Sequence, residues 1–75
     1  MDVTVHGDLL GDEEEAELTA WLVADGTAVE SGQPIAELET GKASVEFTAP
    51  AAGTLSILVG AGEVVAADTV VARLA

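Results

Sequence analysis

Leu22-Val23-Ala24-Asp25-Gly26-Thr27-Ala28-Val29 returns 36 residues later as Leu58-Val59-Gly60-Ala61-Gly62-Glu63-Val64-Val65. The register runs on without a gap, so that Ala36 meets Ala72, Leu38 meets Leu74 and Ile35 meets Val71. Six identities fall in it: Leu22, Val23, Gly26, Val29, Ala36 and Leu38 with their mates. Two copies are too few for a solenoid. They predict a pseudo-two-fold pair, each half burying its apolar side against the other as two packed sheets do. Two choices of inward face stay open. Thr19, Trp21 and Val23 align with Leu55, Ile57 and Val59, which favours that side, whereas the Leu22–Leu58 identity favours the other.

Beyond the repeat, eight Gly and two Pro separate short runs rich in Val, Ile, Leu and Thr. That texture predicts strands joined by turns. Strands are expected at residues 2–6, 16–23, 34–40, 43–48, 53–59 and 69–74, with shorter pairings near 28–30 and 64–66. Glu13 to Leu22 has helix-forming composition, but the repeat sets it opposite an evident strand and it is read as β. Gly26 and Gly62 fall in turns that follow strands, where positive φ is often needed. Pro34 and Pro50 mark strand starts or edges, and Trp21 is expected in or half in the core. The expected class is all-β, in one domain spanning residues 1–75.

Composition narrows function. A chain of 75 residues buries only about 60% of its unfolded surface and has no room for a deep cleft. Its 14 acidic residues face 2 basic ones, for a net charge of −12. That argues against nucleic acid and anionic membrane surfaces as partners and favours a partner with a basic patch. Cysteine is absent, so disulfides and thiolate metal sites are excluded. One histidine, His6, is too little for a metal site or a nucleophilic triad, and no catalytic residue or metal ligand is assigned. No 18-residue apolar run is present, and the N-terminus lacks the basic-then-apolar pattern of a signal peptide.

Lys42 is the only lysine. It lies between the repeat halves, with the strand-like runs Ile35 to Thr40 and Ala43 to Phe47 on either side. A two-residue loop with Gly first is a type II′ signature, so Gly41-Lys42 is expected at the very tip of a hairpin. The symmetry mate of that hairpin is the pair made by the first and last strands, which places both chain ends at the opposite pole. A solvated turn lysine is the plain alternative. Glu37, Glu39 and Glu46 alternate along the flanking strands and read as a hydrated outer face.

Glu39-Thr40-Gly41-Lys42-Ala43-Ser44-Val45-Glu46, followed by Ala49-Pro50-Ala51-Ala52-Gly53, closely resembles the lipoyl domain of 2-oxo acid dehydrogenase acyltransferases, a branch of the biotinyl/lipoyl attachment domains. The upstream run Glu15-Ala16-Glu17-Leu18-Thr19-Ala20-Trp21-Leu22-Val23, then Gly26 and Val29, is similar to the same family. The resemblance covers residues 9–75. It implies a flattened barrel, or sandwich, of two four-stranded antiparallel sheets related by a two-fold axis. It implies lipoate in amide linkage on Lys42, with Glu39, Thr40, Gly41, Ala43, Gly26 and Gly53 shaping the hairpin that a lipoate-attaching enzyme recognises. The loop Asp8-Leu9-Leu10-Gly11-Asp12-Glu13-Glu14-Glu15 is implied as the contact for a thiamine-dependent 2-oxo acid decarboxylase. An acyltransferase core and a dihydrolipoamide dehydrogenase are the further partners it implies. It also implies a monomeric domain cut from a longer acyltransferase, in a bacterial cytoplasm or a mitochondrial matrix. Gly41 stands where the family usually has Asp, and the run Asp12 to Glu15 is unusually acidic. Two alternatives remain: an unmodified lipoyl-like module that binds proteins, and a biotinyl carrier. Biotin sites usually have Met on both sides of the lysine, where this chain has Gly41 and Ala43.

Overall fold

The computed structural model describes all of residues 1–75. The Val-, Leu- and Thr-rich runs form eight strands: β1 (Asp2–Thr4), β2 (Glu15–Trp21), β3 (Ala28–Val29), β4 (Pro34–Glu39), β5 (Ser44–Thr48), β6 (Gly53–Ile57), β7 (Val64–Ala66) and β8 (Val70–Leu74). They make two four-stranded sheets, ordered β1-β8-β6-β3 and β5-β4-β2-β7, antiparallel throughout. Exchanging β1 with β5, β2 with β6, β3 with β7 and β4 with β8 turns one order into the other. The two-fold repeat of the sequence is therefore a two-fold relation between sheets. The expected pairing of first and last strands is present as β1 against β8, with Asp2 opposite Arg73.

Alternation along each strand sends one set of side chains inward. The 16 buried residues are all apolar and form one cluster between the sheets. Symmetry mates share its centre: Ile35 with Val71, Ala36 with Ala72, and Leu38 with Leu74 are all buried. Gly26 and Gly62 are mates in conformation too, with φ of 86° and 96°, a left-handed turn that glycine adopts without a Cβ penalty.

The open question of the inward face has a mixed answer. Leu22 and Leu58 are both exposed, while Trp21, Val23, Ile57 and Val59 are half-buried against the core. Thr19, however, is exposed. The β2–β4 register slips between Leu18 and Ala20, and Leu18 takes the buried place that matches Leu55. The Gly26 N–H donates to the Leu55 carbonyl and the Gly62 N–H to the Leu18 carbonyl, each at 2.7 Å. Trp21 Nε1 donates to the Val59 carbonyl at 2.9 Å, tying the halves together.

Strand bounds differ from expectation by one or two residues, β2 among them at Glu15–Trp21 rather than 16–23, and two of the differences have a visible cause. The first strand stops at Thr4 rather than residue 6, and residues Gly7–Leu10 form one helical turn, α1. Leu10 is buried and Leu9 packs on the core, so this turn is pinned by apolar contact rather than helix propensity. The sixth strand ends at Ile57 rather than residue 59, since Leu58 and Val59 both donate to the Val71 carbonyl.

Candidate functional site

Ladder pairing of β4 with β5 runs from Pro34 opposite Thr48 to Glu39 opposite Ser44. Thr40, Gly41, Lys42 and Ala43 are left to reverse the chain. The Thr40 N–H donates to the Ala43 carbonyl at 2.8 Å. The Ala43 and Lys42 N–H groups donate to the Thr40 hydroxyl, each at 3.2 Å, and that hydroxyl donates to the Ala43 carbonyl at 3.2 Å. A type II′ turn needs positive φ at its first central residue, and Gly41 has negative φ. The expected turn type is thus corrected. A threonine hydroxyl offers nearby amides a local acceptor, and here it closes the tip without a left-handed residue.

Lys42 stands on that tip with its side chain 68% exposed. At the other end of β5, Met1 and Asp2 share a groove with Phe47, Thr48 and Pro50, and the Met1 ammonium donates to the Leu74 carbonyl. The chain ends therefore lie away from the lysine, as expected.

The second candidate segment converges on the first. Leu10 anchors α1, Gly11 turns the chain out of it at φ 61°, and the Glu13 N–H donates to the Leu10 carbonyl at 3.0 Å. Asp12 Oδ2 then lies 3.5 Å from Lys42 Nζ. Glu13 covers Gly41, since a Cβ placed on Gly41 would stand 3.3 Å from Glu13 Oε1. A shallow groove of about 320 Å³ opens between the two segments, with Asp8 to Glu13 on one wall and Thr40, Lys42, Ala43 and Val45 on the other. Glu14 and Glu15 are outside it, and Glu15 belongs to β2, opposite Ala66.

Gly26 and Gly53 do not join this site. Gly26 bonds to Leu55, and Gly53 opens β6 opposite Val29, both in the other sheet. A Cβ on Gly53 would meet the Ala75 carbonyl oxygen at 2.8 Å, so its role is close approach to the end of β8. They shape the sheet across the core, not the hairpin. Glu39 ends β4 on the outer face, directly opposite Glu17 of β2. Glu37 likewise faces Glu46. Lys42 is thus a lone cation in acidic surroundings, and the other basic residue, Arg73, pairs with Asp2 on β1. The Asp12 contact is what sequence reasoning missed, because nothing local marks a pairing across thirty positions. Chemically the arrangement presents one accessible primary side-chain amine, with the Asp12 carboxylate as its one ionic neighbour.

Comparison with known proteins gives one family. The family described as "Biotin-requiring enzyme", the biotin/lipoyl model, matches residues 7–74. The dihydrolipoyllysine-residue acetyltransferase component of the Rhizobium meliloti pyruvate dehydrogenase complex is 47% identical over 64 residues, 83% of this chain and 14% of that protein. The dihydrolipoyllysine-residue succinyltransferase component of the Cupriavidus necator 2-oxoglutarate dehydrogenase complex is 39% identical over 61 residues, 80% of this chain and 15% of that protein. The chain therefore spans a small part of these relatives. Among solved structures, the lipoyl domain of the 2-oxoglutarate dehydrogenase complex from Azotobacter vinelandii superposes with a TM-score of 0.76. The match covers 100% of this chain and 95% of that one at 22% identity, and speaks to the fold.

Proposed function

The chain belongs to the biotin/lipoyl attachment family, and on that premise we propose that it carries lipoate, joined through an amide to Lys42 Nζ, as the swinging arm of a 2-oxo acid dehydrogenase complex. It is a carrier domain rather than a catalytic one. The observation that carries the reading is the chain's one lysine, exposed at the tip of a hydrogen-bonded hairpin. The names of the acyltransferase relatives support lipoate as the group, as do Gly41 and Ala43 beside the lysine.

The residues present fit such a group. An amide needs a primary amine open to an incoming enzyme, and the exposed Lys42 provides one. When bound, lipoate supplies a dithiolane that takes up an acyl group and two electrons. The chain itself supplies position. The Thr40 hydroxyl fixes the tip backbone, and the ladder of β4 and β5 holds it out from the core. With Met1 beside Phe47 and Thr48 at the far end of β5 and Ala75 bonded to Thr54 of β6, a linker at either end leaves the tip free. Tethering by a short flexible linker gives effective concentrations in the mM range.

The partners proposed are a lipoate-attaching enzyme, a thiamine-dependent decarboxylase docking on the Asp8–Glu13 turn, an acyltransferase core and a dihydrolipoamide dehydrogenase. A biotinyl carrier is the second reading, favoured by the family's own description. Intact mass after incubation with lipoate ligase, ATP and lipoate, in parallel with biotin ligase, ATP and biotin, separates them. The expected result is one lipoyl increment, absent in Lys42→Ala. A biotinyl increment alone would transfer the assignment to the second reading. No increment from either enzyme would overturn both and leave a protein-binding module.

A further inference from the structure

We infer that Asp12 is a positioning residue for modification of Lys42: its carboxylate holds the amine beside the groove at the hairpin tip until acylation removes the charge. This rests on the reading of Lys42 as the acceptor. Among the chain's 14 acidic residues, Asp12 alone forms an ion pair with Lys42. Both partners stand on fixed backbone. Buried Leu10 and the Glu13–Leu10 hydrogen bond set the Asp12 mount, and the Thr40 hydroxyl sets the lysine mount. Glu13 lies against the same tip, since a Cβ at Gly41 would stand 3.3 Å from its Oε1.

The pair is not a stability device. Its side chains are 68% and 92% exposed, and pairs this open contribute little to folding. What it changes is the lysine's freedom. A free lysine side chain samples many rotamers, whereas a pair to a carboxylate on an anchored turn narrows them toward one side of the tip. An attaching enzyme then meets an amine already placed.

The same chemistry ends the contact. With an acyl adenylate as donor, Nζ first loses one proton and its positive charge to solvent, its freed lone pair bonds to the acyl carbon, AMP leaves with the electrons of its bond to that carbon, and a second proton leaves the nitrogen to give the neutral amide. The amide product has no charge for Asp12 to hold, so the turn at Gly11–Glu13 is freed from the tip in the modified domain.

The test pairs attachment kinetics with spectra of the unmodified protein. Asp12→Asn should raise KM for the domain about twofold to fivefold, the range that an exposed pair supports, with kcat kept. Asp12→Glu should restore most of the loss. In 1 M salt, where the Debye length falls to about 3 Å, native and Asp12→Asn should converge. Independently of attachment, Lys42→Gln and the lipoylated domain should shift the same Gly11–Glu14 amide resonances in the same direction. Native KM in Asp12→Asn, or Gly11–Glu14 resonances unmoved by Lys42→Gln, would overturn the inference. A native chain that accepts no lipoate would instead sink the reading of Lys42 as acceptor, and this inference with it.

Discussion

Replacing Gly53 by Ala separates a glycine that the fold needs from one that the hairpin needs. The new Cβ would stand 2.8 Å from the Ala75 carbonyl oxygen and 3.3 Å from Leu74 Cβ. The first contact is with backbone, so no side-chain rotation relieves it. Either β6 or the end of β8 must move, and the strain falls on the two 3.0 Å hydrogen bonds between Thr54 and Ala75. Overpacking of this kind costs about 1–3 kcal/mol. Weakening of those bonds is part of the same energy, so we take about 2 kcal/mol. In a domain of this size each kcal/mol moves Tm by about 4–8 °C, which gives a fall of about 8–16 °C. Gly60→Ala is the control. Its Cβ would have no atom within 4 Å and its φ is not left-handed, so Tm should stay within about 3 °C, matching the roughly 0.5 kcal/mol of an ordinary surface change. Melting followed by circular dichroism measures both, and lipoate attachment is assayed well below the lower Tm. Attachment to Lys42 should match that of the native chain, because Gly53 lies in the sheet across the core. A Gly53→Ala Tm like that of Gly60→Ala would refute the steric reasoning. A normal melt with slow attachment would return Gly53 to the hairpin.

The tip and the outer face give two more expectations. Thr40→Val removes the acceptor for the Lys42 and Ala43 amides, so hydrogen exchange at those two amides should quicken while the buried Leu38 keeps its protection and Thr40→Ser stays near native. Unchanged exchange at Lys42 and Ala43 would show that the hydroxyl is not what closes the turn. Glu46 lies directly opposite Glu37, and like charges so placed destabilise a sheet, with cross-strand pairs worth about 0.2–1 kcal/mol. Glu46→Lys should therefore raise Tm by about 1–8 °C at low salt, and the gain should shrink in 1 M NaCl. A gain that survives high salt would point to packing rather than charge.

Most of the fold is legible in the chain because equivalent residues occupy equivalent environments. Gly26 and Gly62 both turn left-handed, and Ile35 and Val71 both reach zero exposure. Side-chain parity was not legible in β2. A bulge adds one residue to one strand and reverses which face follows it, and the slip between Leu18 and Ala20 exists only in the pairing with β4. Leu18 and Leu55 thus match at a spacing one residue longer than Leu22 and Leu58. The turn type went astray for a related reason. Glycine in first position suggests positive φ, but the Thr40 hydroxyl satisfies the amides that such a turn would leave to the backbone.

The site itself is where the symmetry fails. The two-fold relation repeats strands but not connections. Between β1 and β2 the chain spends residues 5–14, ten positions, whereas the equivalent link from β5 to β6 is residues 49–52, four positions. The surplus is α1 and the acidic turn after it, and that surplus forms one wall of the groove beside Lys42. Its mate could not do this, because a four-residue link has no length to form a turn and reach a neighbouring hairpin. Strand residues answer to the shared core, so a repeat exposes them to reading. The long link answers to the tip, and its contact with Lys42 becomes visible only when the two sheets bring β1 and β5 to the same side of the barrel.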